Sequence, residues 1–232
     1  GDYIYAIGEF SGNLTVVLKT GETQSLTNNG LSDVFFAKFE PVLNGTKWEL
    51  KCVFLKRVGG DHHDFGNAIS VDSEDNIYLG GGIYWGPNNA QMVDVTGDGV
   101  ADSANYNGNP NDLQDMTVIK YDTNGNYIWH KVIGGVWHES IVDLKTDNEN
   151  SVYIFGFFAT AFLDFDPSSG SDGKIRQGKD WDLSLTKFDK NGNYGWTKVI
   201  VSTGGEGNDF NGIATSITTD FENNIYATGY FK

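Results

Sequence analysis

Cysteine, proline and positive charge are scarce in this sequence of 232 residues, which has one Cys, four Pro, and 16 Lys and Arg against 31 Asp and Glu. The single Cys52 excludes an internal disulfide, and its apolar neighbours favour a buried structural thiol. The formal charge of −15 argues against nucleic acid or an anionic membrane as a partner, because phosphate binding needs clustered Lys and Arg.

Long apolar runs and a start signal are also missing. No stretch approaches the roughly 18 consecutive apolar residues of a membrane-spanning helix. The sequence begins with Gly1 and shows neither an initiator Met nor a signal peptide, which predicts a piece cut from a longer precursor. Glycine, in contrast, is abundant at 30 residues, and aromatics reach 14%. This composition favours short strands joined by tight turns over helices.

A repeat runs through the whole chain. Tyr followed three residues later by Gly occurs at Tyr5, Tyr78, Tyr153 and Tyr226, spaced 73, 75 and 73 residues apart. Between these points, Asp33, Asp115 and Asp182 are each followed five residues later by Lys. An Asn-Gly pair and a Trp come next, and the Trp residues are Trp48, Trp129 and Trp196. Asn-Gly between alternating apolar runs is a strong signal for a β-hairpin.

Each period therefore predicts four short antiparallel strands, which is the content of one β-propeller blade. The predicted fold class is all-β, with about twelve strands in three four-stranded blades. Residues 1–232 form one propeller region, with repeat units at about 9–81, 82–156 and 157–229 and an insertion at 86–112. Because a closed propeller needs at least four blades, three would leave both end faces uncovered. The strands at Tyr3–Ile7 and Ile225–Tyr230 are therefore predicted to pair with other blades of a longer chain or with another chain.

The combined motifs resemble the bacterial β-propeller repeat (SBBP-type) family. Asp182-x-x-x-x-Lys187-Phe-Asp, Asn191-Gly192, Gly204-Gly205 and Asn224-Ile-Tyr-x-x-Gly carry the likeness, together with Asp164-Phe-Asp-Pro. Glu40 departs from the usual Asp. The resemblance implies a secreted or cell-surface bacterial protein of adhesive or scaffolding type, mostly without an assigned activity.

The insertion contains the pattern of a calcium loop. Oxygen donors at relative positions 1, 3, 5 and 9 with Gly at position 6 follow the order of an EF-hand-like loop. The position-12 residue is an Asn instead of a bidentate Glu, which weakens the expected affinity. A polar surface loop is the alternative. The predicted ligands of a structural calcium ion are Asp94, Thr96, Asp98, the carbonyl of Val100, Asp102 and Asn105.

Other candidate residues have structural explanations. Asp64, Glu139 and Asp209 follow the Gly-Gly pairs at equivalent positions, which favours blade-to-blade hydrogen bonding over catalysis, since an active site needs different roles at different positions. His62 and His63 follow the first Gly-Gly pair and His138 follows the second, but no His follows the third. A zinc site needs three or four converging ligands, so these residues do not predict one. Neither a nucleophile elbow nor a phosphate-binding loop is present.

The sequence thus predicts a non-catalytic extracellular scaffold, adhesion or interaction module. A carbohydrate-binding propeller using Tyr84, Trp85, Trp137 or Trp181 is the alternative, because aromatic rings stack on sugars. A polysaccharide-acting enzyme using Asp164 or Asp166 is a more distant one. Stacked repeats present wide rigid surfaces suited to protein or glycan contact.

Overall fold

The computed structural model describes residues 2–84, 93–97, 113–178, 180–201 and 212–231. Within these ranges the regular structure is entirely β-strand. No helix among them is long and apolar enough to cross a membrane. The strands are β1 Ile4–Phe10, β2 Asn13–Val17, β3 Thr23–Thr27, β4 Asp33–Asn44, β5 Lys47–Val58, β6 Phe65–Val71, β7 Ile77–Tyr84, β8 Gln114–Tyr121, β9 Tyr127–Ile133, β10 Glu139–Thr146, β11 Val152–Phe158, β12 Phe162–Asp164, β13 Gly173–Ile175, β14 Asp182–Phe188, β15 Tyr194–Ile200, β16 Gly212–Thr219 and β17 Ile225–Phe231.

The predicted all-β propeller fold is confirmed. Two sheets are complete four-stranded antiparallel blades, β6-β7-β8-β9 and β10-β11-β14-β15. They are flanked by the three-stranded sheet β1-β4-β5 and by the two-stranded sheet β16-β17. We number the blades 1 to 4 in chain order. The sequence period starts at the second strand of a blade, so the boundaries at residues 81 and 156 fall inside β7 and β11.

Tight turns at one end of the sheets repeat a single hydrogen-bonded design. The carboxylate of Asp72 accepts the backbone N–H groups of Glu74 and Asn76, and it also accepts the hydroxyl of Tyr78. An Asp side chain that bonds two and four residues ahead fixes the turn locally. The same arrangement of backbone bonds occurs at Asp122, Asp147, Asp189 and Asp220.

The hairpin β4–β5 departs from this design. The repeat spacing predicts superposable, largely buried positions for Trp48, Trp129 and Trp196, and for Trp48 this prediction is wrong. Glu40 stands where Asp122 and Asp189 make the other turns, and the strands continue to Asn44 and Lys47 before the chain reverses. The register therefore pairs Lys38 with Phe54, where the other blades pair Lys120 with Trp129 and Lys187 with Trp196. Trp48 sits near the tip of the longer hairpin and is 70% exposed.

The core consists of apolar layers between neighbouring blades. One layer lies between blades 2 and 3 and contains Tyr78, Met116, Ile141 and Phe188. Another lies between blades 1 and 2 and contains Phe36, Ile77 and Tyr121. Cys52 is buried, and burial raises the pKa of its thiol, as expected for a structural residue.

The second-blade insertion contributes to this core where it is described. Val93 and Val95 are buried in the layer between blades 1 and 2. The backbone of Asp94 exchanges two hydrogen bonds with Gly59, at 3.0 and 3.3 Å, and the carbonyl of Val95 accepts the hydroxyl of Tyr121 at 2.6 Å. The segment 93–97 is therefore packed between blades, which the sequence pattern did not predict.

Candidate functional site

The long connections of blades 1 to 3 lie at the end of the sheets opposite the tight turns. Each joins the second strand of a blade to the third. The connection in blade 1 contains the hairpin β2–β3, and that in blade 3 contains β12–β13. The connection in blade 2 runs from residue 85 to 113, of which 93–97 and 113 are described. We call this end the elaborated face.

Aromatic and histidine side chains from separate sequence motifs meet on the elaborated face. The ring of Tyr84 lies 6.5 Å from that of His62, 6.3 Å from Phe65 and 6.3 Å from His138, measured between ring centres. Next to His138, the side chain of Trp137 is 57% exposed. We call the group of Tyr84, His62, Phe65 and His138, together with the exposed neighbour Trp137, the aromatic surface.

The three histidines of this region take part in ring contacts and hydrogen bonds. His63 stacks on Phe65 with ring centres 6.2 Å apart, and its Nδ1 lies 3.0 Å from the hydroxyl of Ser32. In the described parts of the chain, no group of three or more His, Cys, Asp or Glu side chains is arranged to hold a metal ion.

Two buried acids hold the backbone beneath the aromatic surface. Asp64 accepts the N–H groups of Gly60 and Tyr84, at 2.8 and 3.1 Å. Glu139 accepts those of Gly135 and Thr160, at 3.1 and 3.0 Å. Each acid thus ties the linker from the preceding blade to the exit of the second strand of its own blade.

Burial sets the protonation of these acids. Desolvation raises the pKa of Asp64 to about 7 and that of Glu139 to about 7, against the opposing effect of the backbone N–H groups. Both side chains accept hydrogen bonds from backbone N–H groups. We therefore assign them a structural role, and their raised pKa values follow from their burial. Asp209, the third acid of this set, lies outside the described residues.

Asp94, the first predicted calcium ligand, is part of a buried ion-pair network. Its Oδ2 lies 3.3 Å from Nη2 of Arg57, whose Nη1 contacts Oδ2 of Asp33 at 3.0 Å. The Oδ1 of Asp94 accepts the N–H of Gly97 at 2.7 Å and the hydroxyl of Thr96 at 3.4 Å. Asp94 and Thr96 thus lie next to each other at the start of the predicted loop. The other predicted ligands, Asp98, Val100, Asp102 and Asn105, lie outside the described residues, so the calcium site stays a prediction.

The other two tryptophans of the predicted carbohydrate site are not part of the aromatic surface as described. Trp181 packs on Phe157 with ring centres 4.8 Å apart, and its Nε1 donates to the carbonyl of Gly212 at 2.9 Å. It therefore belongs to the junction of blades 3 and 4 and not to the aromatic surface. Trp85 lies outside the described residues.

Asp164 and Asp166 are turn residues in blade 3. The Oδ1 of Asp164 accepts the N–H groups of Asp166 and Asp172, and that of Asp166 accepts the N–H of Ser168. Burial would raise the pKa of Asp164, but the two backbone N–H groups together with the side chain of Ser171 hold the pKa below its usual range. A general acid of a glycosidase needs a raised pKa. The geometry of Asp164 is that of a structural group.

Comparison with known proteins agrees with the architecture. Over an alignment that covers 90% of its length, the chain is 23% identical to an uncharacterized WD repeat-containing protein, L264, of Acanthamoeba polyphaga mimivirus. The chain spans 16% of the length of that relative. WD repeats build the four-stranded blades of β-propellers. No family model matches the chain. The comparisons thus support a propeller-like repeat, while the assignment to the bacterial family stays a prediction.

Proposed function

We propose that the chain is a non-catalytic interaction module, and that the elaborated face is where it contacts a protein partner. The observation that carries this proposal is that the long connections of three consecutive blades emerge on one end, while the other end has tight turns in blades 2 to 4 and only the β4–β5 hairpin extends there. Irregular segments on a rigid scaffold are where binding residues concentrate. The likeness to a WD repeat-containing protein supports the same class of role.

The acids of the described region support a role without catalysis. Asp64 and Glu139 are fully buried and bonded to backbone N–H groups, and Asp164 shapes a turn. A catalytic acid or base must reach a proton of the substrate. These carboxylates are occupied by the fold itself.

A glycan is the second candidate ligand. The specific observation is the aromatic surface, where Trp137 is exposed beside His138 and Tyr84. Aromatic rings present broad apolar faces with a polar edge, which suits stacking against sugars. In this reading Trp137 is the main contact.

A location outside the cell and a structural calcium ion are part of the proposal. The charge of −15 keeps a surface-exposed array soluble and self-repelling. The order of oxygen donors from Asp94 to Asn105 suits calcium, which prefers several hard oxygen ligands. Isothermal titration with calcium tests the second point. The wild type and an Asp166→Ala control should show a heat of calcium binding, and the Asp98→Ala variant should not. The absence of heat in the wild type at millimolar calcium would rule it out.

Site-specific photocrosslinking tests the interaction proposal. A photoreactive amino acid at Trp137 on the elaborated face is compared with the same group at Asn191, in a tight turn at the other end. In cells that produce the protein, the Trp137 position should give a discrete crosslinked protein and the Asn191 position none. Crosslinks of equal yield from both positions would contradict a dedicated face.

A glycan array separates the two candidate ligands. Reproducible binding that is lost in Trp137→Ala and kept in Trp48→Ala would favour the carbohydrate-binding function, since both residues are exposed but only Trp137 belongs to the aromatic surface. Turnover of a polysaccharide that disappears on changing one carboxylate would overturn the non-catalytic assignment.

A further inference from the structure

Asn-Gly pairs with both residues in the described part of the chain differ in how firmly the fold holds them. In any such pair, the main-chain nitrogen of the glycine can attack Cγ of the asparagine, because glycine has no side chain that hinders the approach. The attack requires a nitrogen that is not engaged in a hydrogen bond and two residues that can rotate. The fold therefore decides which pair reacts. The described pairs are Asn29-Gly30, Asn44-Gly45, Asn124-Gly125 and Asn191-Gly192.

The pairs in the tight turns of blades 2 and 3 are held on two sides. The N–H of Gly125 donates to the carbonyl of Asp122, and the N–H of Gly192 donates to that of Asp189, both at 2.9 Å. Both glycines are buried against an aromatic ring of the preceding blade, where an added carbon would lie 3.1 and 3.0 Å from the ring. Each nitrogen is thus engaged as a donor, and neither glycine can rotate without moving its neighbour. The two rings are those of Phe54 and Trp129.

The pair in the long connection of blade 1 is held by different contacts. The carbonyl of Gly30 accepts Nδ2 of Asn28 at 2.8 Å, and the N–H of Asn29 donates to Oδ2 of Asp33 at 2.7 Å. The α-carbon of Gly30 lies against the main chain of Asp61, where an added carbon would be 2.1 Å from the carbonyl oxygen. The main chain is therefore fixed on both sides of the bond that would have to rotate.

Asn44-Gly45, at the tip of the β4–β5 hairpin, lacks these restraints. Both residues are exposed, and apart from the chain neighbours no atom lies within 4 Å of a carbon added to Gly45. Within the described residues, the hydrogen bonds of the turns do not include the N–H of Gly45. Nδ2 of Asn44 donates to Oε1 of Glu49 at 2.9 Å. The glycine nitrogen is therefore accessible to solvent, next to a side-chain amide whose position is defined.

We propose that Asn44 is a site of spontaneous deamidation in the folded protein, and that the fold protects the asparagines of the other described Asn-Gly pairs. The nitrogen of Gly45 loses its proton to solvent base and attacks Cγ of Asn44. The Cγ–Nδ2 bond breaks and ammonia leaves, which closes a cyclic imide. One water then opens the ring at either carbonyl and gives aspartate or isoaspartate. The net change is the uptake of water and the loss of ammonia, so neither an oxidant nor a reductant is needed.

The conversion changes both the charge and the main chain of the hairpin tip. The side chains of Lys51 and Asn44 lower the pKa of Glu49, so a new carboxylate at position 44 faces an existing one and the hydrogen bond between the two side chains is lost. Isoaspartate also adds a carbon atom to the main chain beside the pair formed by Asn44 and Lys47, which disturbs the strand register. Both effects loosen the end of the hairpin that extends beyond the other blades.

Incubation of the intact folded chain in heavy-oxygen water tests the assignment, because the product takes its new oxygen atom from the solvent. The protein is kept in mildly alkaline buffer and then digested with pepsin in ordinary water at acid pH, so that only the product of the incubation carries the label. Mass spectrometry of the peptides reads the label at each site. Asn44 should acquire label at least ~10-fold faster than Asn29, Asn124 or Asn191. In denaturant, where the restraints of the fold are removed, the rates of all the pairs should approach one another.

Two variants and the denatured chain make the test specific. Asn44→Gln should abolish the fast labelling of the folded protein, because the longer side chain closes a ring less readily, while Asn124→Gln should leave it unchanged. Labelling of Asn44 that is no faster than that of Asn124 in the folded chain would overturn the proposal. So would an equally large difference between the two sites in denaturant, since the selectivity would then come from the neighbouring residues in the sequence and not from the fold.

Discussion

At the scale of single residues, lysines join neighbouring blades through backbone carbonyls. Lys38 donates to the carbonyl of Thr123 at 2.8 Å, and Lys120 donates to that of Lys190 at 3.0 Å, which is the equivalent position one blade further on. Burial lowers the pKa of Lys38, but nearby Asp75 and Asp122 oppose this. Each lysine contributes as a charged donor inside a seam.

Replacing Lys120 should be costly. Lys120→Met leaves the buried carboxylate of Asp72 without its cation and the carbonyl of Lys190 without its donor. We expect a loss of about 3 kcal/mol in the free energy of unfolding, measured by chemical denaturation. The control is Lys190→Met, which removes a pair with Glu74 of which both partners are more than half exposed, and should cost below about 0.5 kcal/mol. Equal losses would mean that the seam bond contributes nothing beyond an exposed charge.

The buried acids make stability depend on pH. Because the pKa of Glu139 is raised to about 7 in the folded protein and is about 4.5 when unfolded, its contribution is fully present below pH ~4.5 and is lost as the pH rises through about 7. The free energy of unfolding should fall by about 3 kcal/mol over this window from this group alone. Glu139→Gln should flatten that part of the profile, whereas exposed Glu9→Gln should leave it unchanged. A wild-type profile that rises between pH 5 and 7 would contradict the assignment.

At the scale of strands and hairpins, the sequence predicted most of the architecture correctly. The Tyr, Asp, Lys and Asn-Gly landmarks locate the second to fourth strands and the turns, because side-chain alternation and turn chemistry are local properties. The consequence of Glu40 was missed. Its longer side chain stands where Asp122 and Asp189 fix the turns of the other blades, and the chain here continues as β-strand.

The two tryptophans of the β4–β5 and β8–β9 hairpins should therefore respond differently. Trp129 contacts the ring of Tyr78 edge-on at 5.9 Å and donates to the carbonyl of Lys190, so Trp129→Ala should cost about 3 kcal/mol of unfolding free energy. Trp48→Ala should cost less than about 0.5 kcal/mol, since this side chain is largely in solvent. Thermal or chemical denaturation of the pair measures both values. A large loss for Trp48→Ala would mean that Trp48 is largely buried, as the repeat spacing predicts.

The site was predictable only in part. His62 and Trp137 both follow Gly-Gly pairs at equivalent positions. Their location at the same end of the blades could therefore be predicted from the alignment of the repeats. The contacts of His62 and of His138, the sequence neighbour of Trp137, with Tyr84 depend on how neighbouring blades pack, which no local pattern contains. The burial of Val93 and Val95 has the same origin, because the insertion packs against Gly59 and Tyr121, which are distant in sequence.

At the scale of the whole molecule, the described strands differ in how many neighbours support them. β8 and β14 are hydrogen-bonded on both edges, whereas β1 and β17 are each paired on one edge. In repeat proteins, the free energy of folding is approximately the sum of the intrinsic stability of each repeat and of the contacts between neighbouring repeats. Within the described residues, β1 and β17 therefore have fewer of these contacts than β8 and β14.

Amide hydrogen exchange should report this gradient. The amides of β8 and β14 should exchange at least ~100-fold more slowly than those of β1 and β17, because the terminal strands open without unfolding the central blades. Peptide-resolved mass spectrometry of the intact chain measures it. Uniform protection along the chain would mean that all sheets unfold as one unit.

The acceptors at each seam have a consequence for how such an array changes over generations. Both lysines bond to a main-chain carbonyl, that of Thr123 in one blade and that of Lys190 in the next, and Lys38 also bonds the hydroxyl of Thr123. The shared acceptor therefore does not depend on the side chain of the residue that carries it. A gene segment encoding one period, duplicated or deleted in frame, therefore brings a new blade whose seam is already matched on both sides. The number of blades can therefore change while the contacts between neighbouring blades are kept. Selection can then act on the connections of the elaborated face one blade at a time.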